Sequence, residues 1–147
     1  VFSIGTSGHV NESAHKYMAY CFARTPNAIG IGSYYGNGNA DGPRVFVDDG
    51  SCGFLPAFVM IKAMDQAESW WIGDNKRTAY QQDNPPLLEL NTTAADETGW
   101  SGNPPFDFMS NGFKIKRTGG AFNTDGKVYL YIAFAASSFA VNNRPFS

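Results

Sequence analysis

The sequence predicts an all-β fold, an antiparallel β-sandwich with short strands and long surface loops, and three observations carry that prediction. Composition is the first. Aromatic residues make up 15% of the 147, glycine accounts for 16 positions, and charged residues reach only 16%, against roughly 25% in an ordinary soluble domain. A chain rich in rings and glycine but poor in Lys and Glu favours strands and tight turns over helices. Period-two apolar runs are the second observation, and turn dipeptides between them are the third.

The clearest run is VYLYIAFA, residues 128–135. Leu130, Ile132 and Phe134 fall on one face, and Tyr129, Tyr131, Ala133 and Ala135 on the other, because successive strand side chains point to opposite sides. Neither face is polar, so this strand is expected to be interior and covered on both sides. The run YMAYCFA (residues 17–23) reads the same way, with Met18, Tyr20 and Phe22 opposed to Tyr17, Ala19, Cys21 and Ala23. Phe113 and Ile115 alternate with Lys114 and Lys116, the pattern of a half-solvated strand. Phe58 to Ile61 and Trp70 to Ile72 make a hairpin around a polar turn at residues 65–69. Val45 to Val47 is a short strand before Asp48-Asp49-Gly50. Asn111-Gly112 and Asp125-Gly126 supply further turns.

An internal near-repeat links the two ends of the chain. Phe2 and Ile4 match Phe113 and Ile115, and Gly8 matches Gly119. With one residue inserted, Asn11, Tyr17, Phe22 and Ala23 match Asn123, Tyr129, Phe134 and Ala135. The two copies are expected to be related hairpins, although two hairpins of similar composition would also align. Residues 81–106 read as irregular, broken by Pro85-Pro86 and Pro104-Pro105, with about one helical turn at residues 92–97 capped by Thr92 or Thr93. No linker divides the chain, so residues 1–147 are expected to form a single sandwich domain. Val1 rather than Met opens it, which fits a fragment or a processed product.

Net charge is −2, with no basic stripe to neutralise phosphates, so nucleic acid is not an expected partner. The apolar runs are too short for a membrane span. Cys21 and Cys52 allow at most one bridge. They are expected to be free thiols, with Cys21 buried in its strand.

Catalytic patterns are weak. His9 and His15 have no zinc-like spacing. Gly99-Trp100-Ser101-Gly102 comes nearest a nucleophile elbow, but its second glycine does not stand at the motif's position. Asp48-Asp49 and Asp96-Glu97 are neighbours of the kind found in solvated turns, and a split acid–base pair needs two different environments. The expectation is therefore a non-enzyme without an obligatory cofactor. Two binding patterns remain. Asn37, Asn39, Asp41 and Asp48 stand at the first, third, fifth and twelfth places of a calcium-loop spacing, with Gly42 at the sixth. A plain turn selects the same residue types. Tyr34, Tyr35, Trp70, Trp71 and Trp100 could stack on a sugar, with Asn37 and Asn39 beside Tyr34 and Tyr35 to hydrogen-bond its hydroxyls. Core packing is the competing use of those rings.

Five segments occur in an order that resembles a known family: YMAYCFA (17–23), GSYYGNGNADGP (32–43), FLPAFVMIKAMD (54–65), DFMSNGFKIK (107–116) and VYLYIAFA (128–135). The chain is similar over nearly its whole length to an uncharacterised repeat domain of tailed-bacteriophage virion proteins, found in tail-fibre-like and particle-surface proteins. DDGSCG, residues 48–53, departs from the usual pattern. The resemblance implies a virion-surface location, other virion proteins as partners, a homo-oligomer (by analogy a trimer), and a structural or adhesive role that could include host-surface glycan. It transfers no catalytic residue. The rivals are a capsid decoration protein, which would bind purified capsids, a carbohydrate-binding module, which would lose its ligand on substitution of Tyr34 or Tyr35, and a hydrolase acting on a host polysaccharide.

Overall fold

The computed structural model describes residues 2–77, 86–95 and 105–136. Among these residues, eight strands form two antiparallel sheets. β1 (Ile29–Tyr35), β8 (Val128–Ala135), β3 (Pro56–Ala63), β4 (Trp70–Asp74) and β5 (Leu88–Glu89) lie side by side in that order. β2 (Arg44–Phe46), β7 (Gly112–Ile115) and β6 (Phe106–Met109) make the second sheet. Two single-turn helices complete the elements, α1 (Gly8–Asn11) and α2 (Gly120–Asn123). Among the described residues, no helix is long and apolar enough to cross a membrane.

β8 and β3 are rich in aromatic and β-branched residues, which suit a pleated, packed surface. They pair with each other, Val59 opposite Ala133 and Ile61 opposite Tyr131. On their shared inner face, Val59, Ile61, Ala63, Tyr129, Tyr131 and Ala133 are buried. Phe58, Met60, Leu130, Ile132 and Phe134 on the outer face are half-buried. The expected 58–61 and 70–72 hairpin is β3–β4, with Met60 opposite Ile72. In the second sheet Phe113 and Ile115 are buried while Lys114 and Lys116 stay half-buried. Gly112 follows the Asn111 turn because a Cβ there would sit 2.0 Å from the Val45 carbonyl oxygen.

Phe113 fills the centre of the core. It meets Tyr34, Phe106 and Tyr131 edge to face, at centroid distances of 6.0, 5.9 and 5.4 Å, a geometry that sets ring edge against ring face. Three phenol groups cross the core and end on loop backbone. Tyr34 donates to the Phe122 carbonyl at 2.8 Å. Tyr129 donates to the Gly120 carbonyl and accepts from the Thr124 N–H, both at 2.8 Å. Tyr131 donates to the Phe46 carbonyl at 3.0 Å and accepts from the Asp48 N–H at 2.8 Å. Tyr34 and Tyr129 thus hold α2 against the core.

Several expectations are corrected. The near-repeat is not a pair of hairpins. β7 and β8 lie in different sheets, joined through α2, and residues 2–23 contain α1 but no strand. Alternation alone cannot form a strand without a neighbour to take its backbone groups, and residues 17–23 have no strand partner among the described residues. Cys21 is accordingly exposed rather than buried; both cysteines are free thiols. Residues 92–95 form no helical turn; there Thr92 Oγ1 accepts from the Ala94 N–H at 3.3 Å. Asp96, Glu97, Trp100 and the elbow-like segment lie outside the described residues.

Candidate groove at the open edge of the sandwich

β1 and β2 are the edge strands on one side of the two sheets. A groove of about 600 Å³ opens beside them, lined by Phe22, Arg24, Ile31, Gly32, Ser33, Phe46, Asp48 and Tyr131. Its construction begins at Pro26-Asn27, where Asn27 takes φ 55°, a left-handed conformation that Asn tolerates. The turn is closed by Thr25 and Ile29, each donating its N–H to the other's carbonyl, at 2.8 and 2.9 Å. Asp49, 1% exposed, anchors the turn from the other side. Its carboxylate accepts from the N–H of Asn27 at 2.8 Å, of Ser51 at 2.8 Å and of Gly53 at 3.1 Å. Burial pushes the Asp49 carboxyl up, but these amides outweigh it and leave the pKa below the ordinary value. Hydrogen bonds to the charged form favour that form.

Gly32 and Tyr131 make the floor. A Cβ at position 32 would fall 2.7 Å from the Tyr131 hydroxyl oxygen, so glycine is what lets the phenol pass beneath β1 to its two backbone partners. Burial raises the Tyr131 pKa, and the phenol stays neutral and serves as a hydrogen-bonding bridge. Arg24 and Asp48 form an ion pair at the wall, both about half-exposed. Such a pair contributes at most about 1 kcal/mol to stability, but it places a charge of each sign beside the rings of Phe22 and Phe46. The groove therefore combines apolar walls, a split charge and main-chain edge groups, which suit an extended amphipathic ligand. A smaller cavity of about 360 Å³ borders α2, between Glu68, Trp71 and Arg117.

The residues expected to bind ligand are not gathered at one place. Tyr34 is buried, its hydroxyl used on Phe122 and its pKa raised well above the ordinary value by burial and then by Tyr129. It is a core residue and offers no surface for a sugar. Alternation explains the split: Tyr34 shares the inner face with Gly30 and Gly32, and Tyr35, 70% exposed, points out. Trp70 is half-buried on the outer face of β4, while Trp71 is in the core. Asn37 and Asn39 do lie together. Asn37 Oδ1 accepts from the Asn39 N–H at 3.0 Å and from Asn123 Nδ2 at 3.0 Å. The two acidic members of the calcium-loop spacing diverge: Asp41 pairs with Lys114, and Asp48 with Arg24. Among the described residues, no three His, Cys, Asp or Glu side chains cluster as metal ligands.

Sequence reasoning missed Arg24, Phe46 and the edge role of Ser33. The signal was there in Gly30 and Gly32, since glycines inside a strand mark close backbone approach. It also gave no bridging role to Asn123, fully buried, whose Oδ1 accepts from the Asn37 N–H at 2.8 Å and whose Nδ2 reaches the carbonyls of Asn39 and Arg117.

Two stacked antiparallel sheets with one groove-bearing edge define the class: an antiparallel β-sandwich domain. Within it, the chain belongs to the family described as Domain of unknown function (DUF7483), whose model matches residues 1–138. No curated protein and no solved structure matches the chain.

Proposed function

We propose that this is a non-catalytic structural and adhesion domain of a tailed-phage virion. It stands on the particle surface as part of a tail fibre or fibre-like host-contacting protein and works as a homo-oligomer, a trimer by analogy. The virion assignment rests on the five ordered segments. The observation that supports assembly is the N-terminal segment. Phe2, Ile4, Val10, Tyr17, Met18, Tyr20 and Phe22 are 45–79% exposed, seven large apolar side chains within the first 22 residues. Concentrated apolar exposure of this kind marks an interaction surface.

In this reading the sandwich is a rigid support and the loops meet the partner. Tyr35, Asn37 and Asn39 sit at the end of β1, with an exposed ring beside amide groups. That combination suits a host-surface glycan. Asp49 and Asn123 serve the scaffold, and the proposed role involves no cofactor. Purified domain is expected to be retained on host cells, with retention reduced by Tyr35→Ala. Residue-resolution imaging of particles is expected to place the fold on their surface. Absence of the domain from the particle would sink the virion reading, and retention untouched by Tyr35→Ala would remove the glycan contact.

A further inference from the structure

Among the described residues, the outer edge of β1 and residues 17–22 each lack a strand partner, and the two are complementary. Even-numbered residues of β1 face β8. The Ala135 N–H donates to the Ala28 carbonyl at 3.0 Å, and the Gly36 N–H donates to the Lys127 carbonyl at 2.9 Å. Odd-numbered residues face away. Of these, the Ile29 N–H is taken by Thr25 and the Ile31 N–H by the Asp48 carbonyl at 3.1 Å. The outward backbone groups of Ser33 and Tyr35 have no partner among the described residues. An edge of this kind is a template for another strand. It runs along the groove, and the half-buried outer face of its sheet continues beside it through Ile31, Ile132 and Met60, which are aligned in register.

The segment that fits is on the same chain type. Residues 17–22 alternate as a strand, carry no Pro or Gly, and are exposed, Met18 at 78% and Tyr20 at 79%. Its own β1 is closed to it near the turn. The antiparallel pairing begun at Thr25 and Ile29 would next set Ala23 against Ile31, but the Asp48 carbonyl occupies the Ile31 N–H and Arg24 is held on the Asp48 side chain. Phe22 instead leaves along the outer face, edge to face with Phe134 at 5.6 Å. The segment is thus directed off its own edge, while the outer part of that edge has no strand partner among the described residues.

We propose that residues 17–22 of a second copy of this chain add as a strand to the Ser33–Tyr35 edge of β1. The added strand continues the five-stranded sheet, and its alternate side chains, Met18, Tyr20 and Phe22, lie against apolar surface. Main-chain hydrogen bonds supply the pairing, as in other strand additions. The contact joins unlike surfaces, so it closes either reciprocally between two copies or around a ring. This deepens the assembly part of the proposed function and rests on that part alone.

Complementation tests it in the full chain. Ser33→Pro removes one outward N–H without touching the β1–β8 ladder, and Tyr35→Pro is the second version of the same block. Met18→Lys with Tyr20→Lys disables the incoming segment. All four side chains are exposed, and circular dichroism checks that each variant keeps its sheet content. The wild type is expected to be oligomeric by light scattering. Each variant alone is expected to associate at least about tenfold more weakly, a change of about 1.4 kcal/mol. A mixture of the two variants is expected to regain a single contact, giving a heterodimer. Variants that assemble like the wild type, or a mixture that stays monomeric, overturn strand addition. Persistent oligomers in both variants would do so while leaving the assembly reading intact. Cross-linking orients the contact: in a chain carrying Cys21→Ser, Cys52→Ser, Tyr20→Cys and Ser33→Cys, whose two introduced thiols would share the outer face of the extended sheet, mild oxidant is expected to bridge the two introduced thiols between chains. A bridge within one chain overturns the proposal.

Discussion

Asp49 shows how one carboxylate can hold two loops. It is buried and accepts three backbone N–H groups, one from the turn before β1 and two from the loop before β3. Asp49→Ala strands these donors, and a buried donor without a partner costs about 1–3 kcal/mol. Urea unfolding is expected to show a loss of about 2–3 kcal/mol, since not all three donors can reach water. The same carboxylate sets an acid limit. Asp49 has a lowered pKa, as does Asp74, where burial raises it but the Arg77 and Lys76 N–H groups and the Arg77 guanidinium lower it further. A carboxyl with a folded pKa below its unfolded value of about 3.9 contributes stability fully present above that value. The contribution is lost as pH falls through the folded pKa. Thermal midpoints are therefore expected to hold steady from neutral pH down to about 5 and to drop below about 4. In the sequence Asp49 was legible as a turn residue only. Its three partners come from positions 27, 51 and 53, and no local pattern announces the first of them.

At the scale of elements, legibility followed packing. β8 and the β3–β4 hairpin were readable because each carries apolar side chains on both faces and is covered on its inner face. β1 was hidden by Gly30 and Gly32, which break the alternation for a reason visible only in three dimensions: a Cβ on Gly30 would lie 2.1 Å from Val47 Cγ1. Residues 17–23 misled in the opposite sense, since their pattern is that of a strand while no strand stands beside them among the described residues. The hairpin assumed for residues 112–135 failed because α2 carries the chain from one sheet to the other, and one of the two anchors of α2, Tyr34, is distant in sequence. Exposure of the N-terminal segment has a direct readout. At dilutions where the chain is monomeric, trypsin is expected to cut first after Lys16, leaving the sheets intact by circular dichroism. Equally early cuts after Lys114 or Lys62 would contradict it. Docking of the segment on another copy would slow the Lys16 cut as concentration rises.

For the whole molecule, the class of fold was legible from composition and period, because a chain this rich in rings must layer its sheets to bury them. The candidate site was not, because it is formed by an edge of each sheet and by a turn between them. The spacing of Asn37, Asn39, Asp41 and Asp48 likewise describes a single loop, whereas the fold assigns the two carboxylates to different cations, Lys114 and Arg24. Millimolar calcium is therefore expected to leave the melting midpoint unchanged, since a ligand specific to the folded state would raise it. An increase that tracks calcium concentration would restore the loop as a metal site.

Tyr131, fixed between the Phe46 carbonyl and the Asp48 N–H, has a kinetic consequence. The receiving surface is already set before any encounter, so nearly all the entropy lost on association belongs to the arriving ribbon. Making that ribbon stiffer in its extended shape should quicken capture, whereas stiffening the receiver should change the on-rate little.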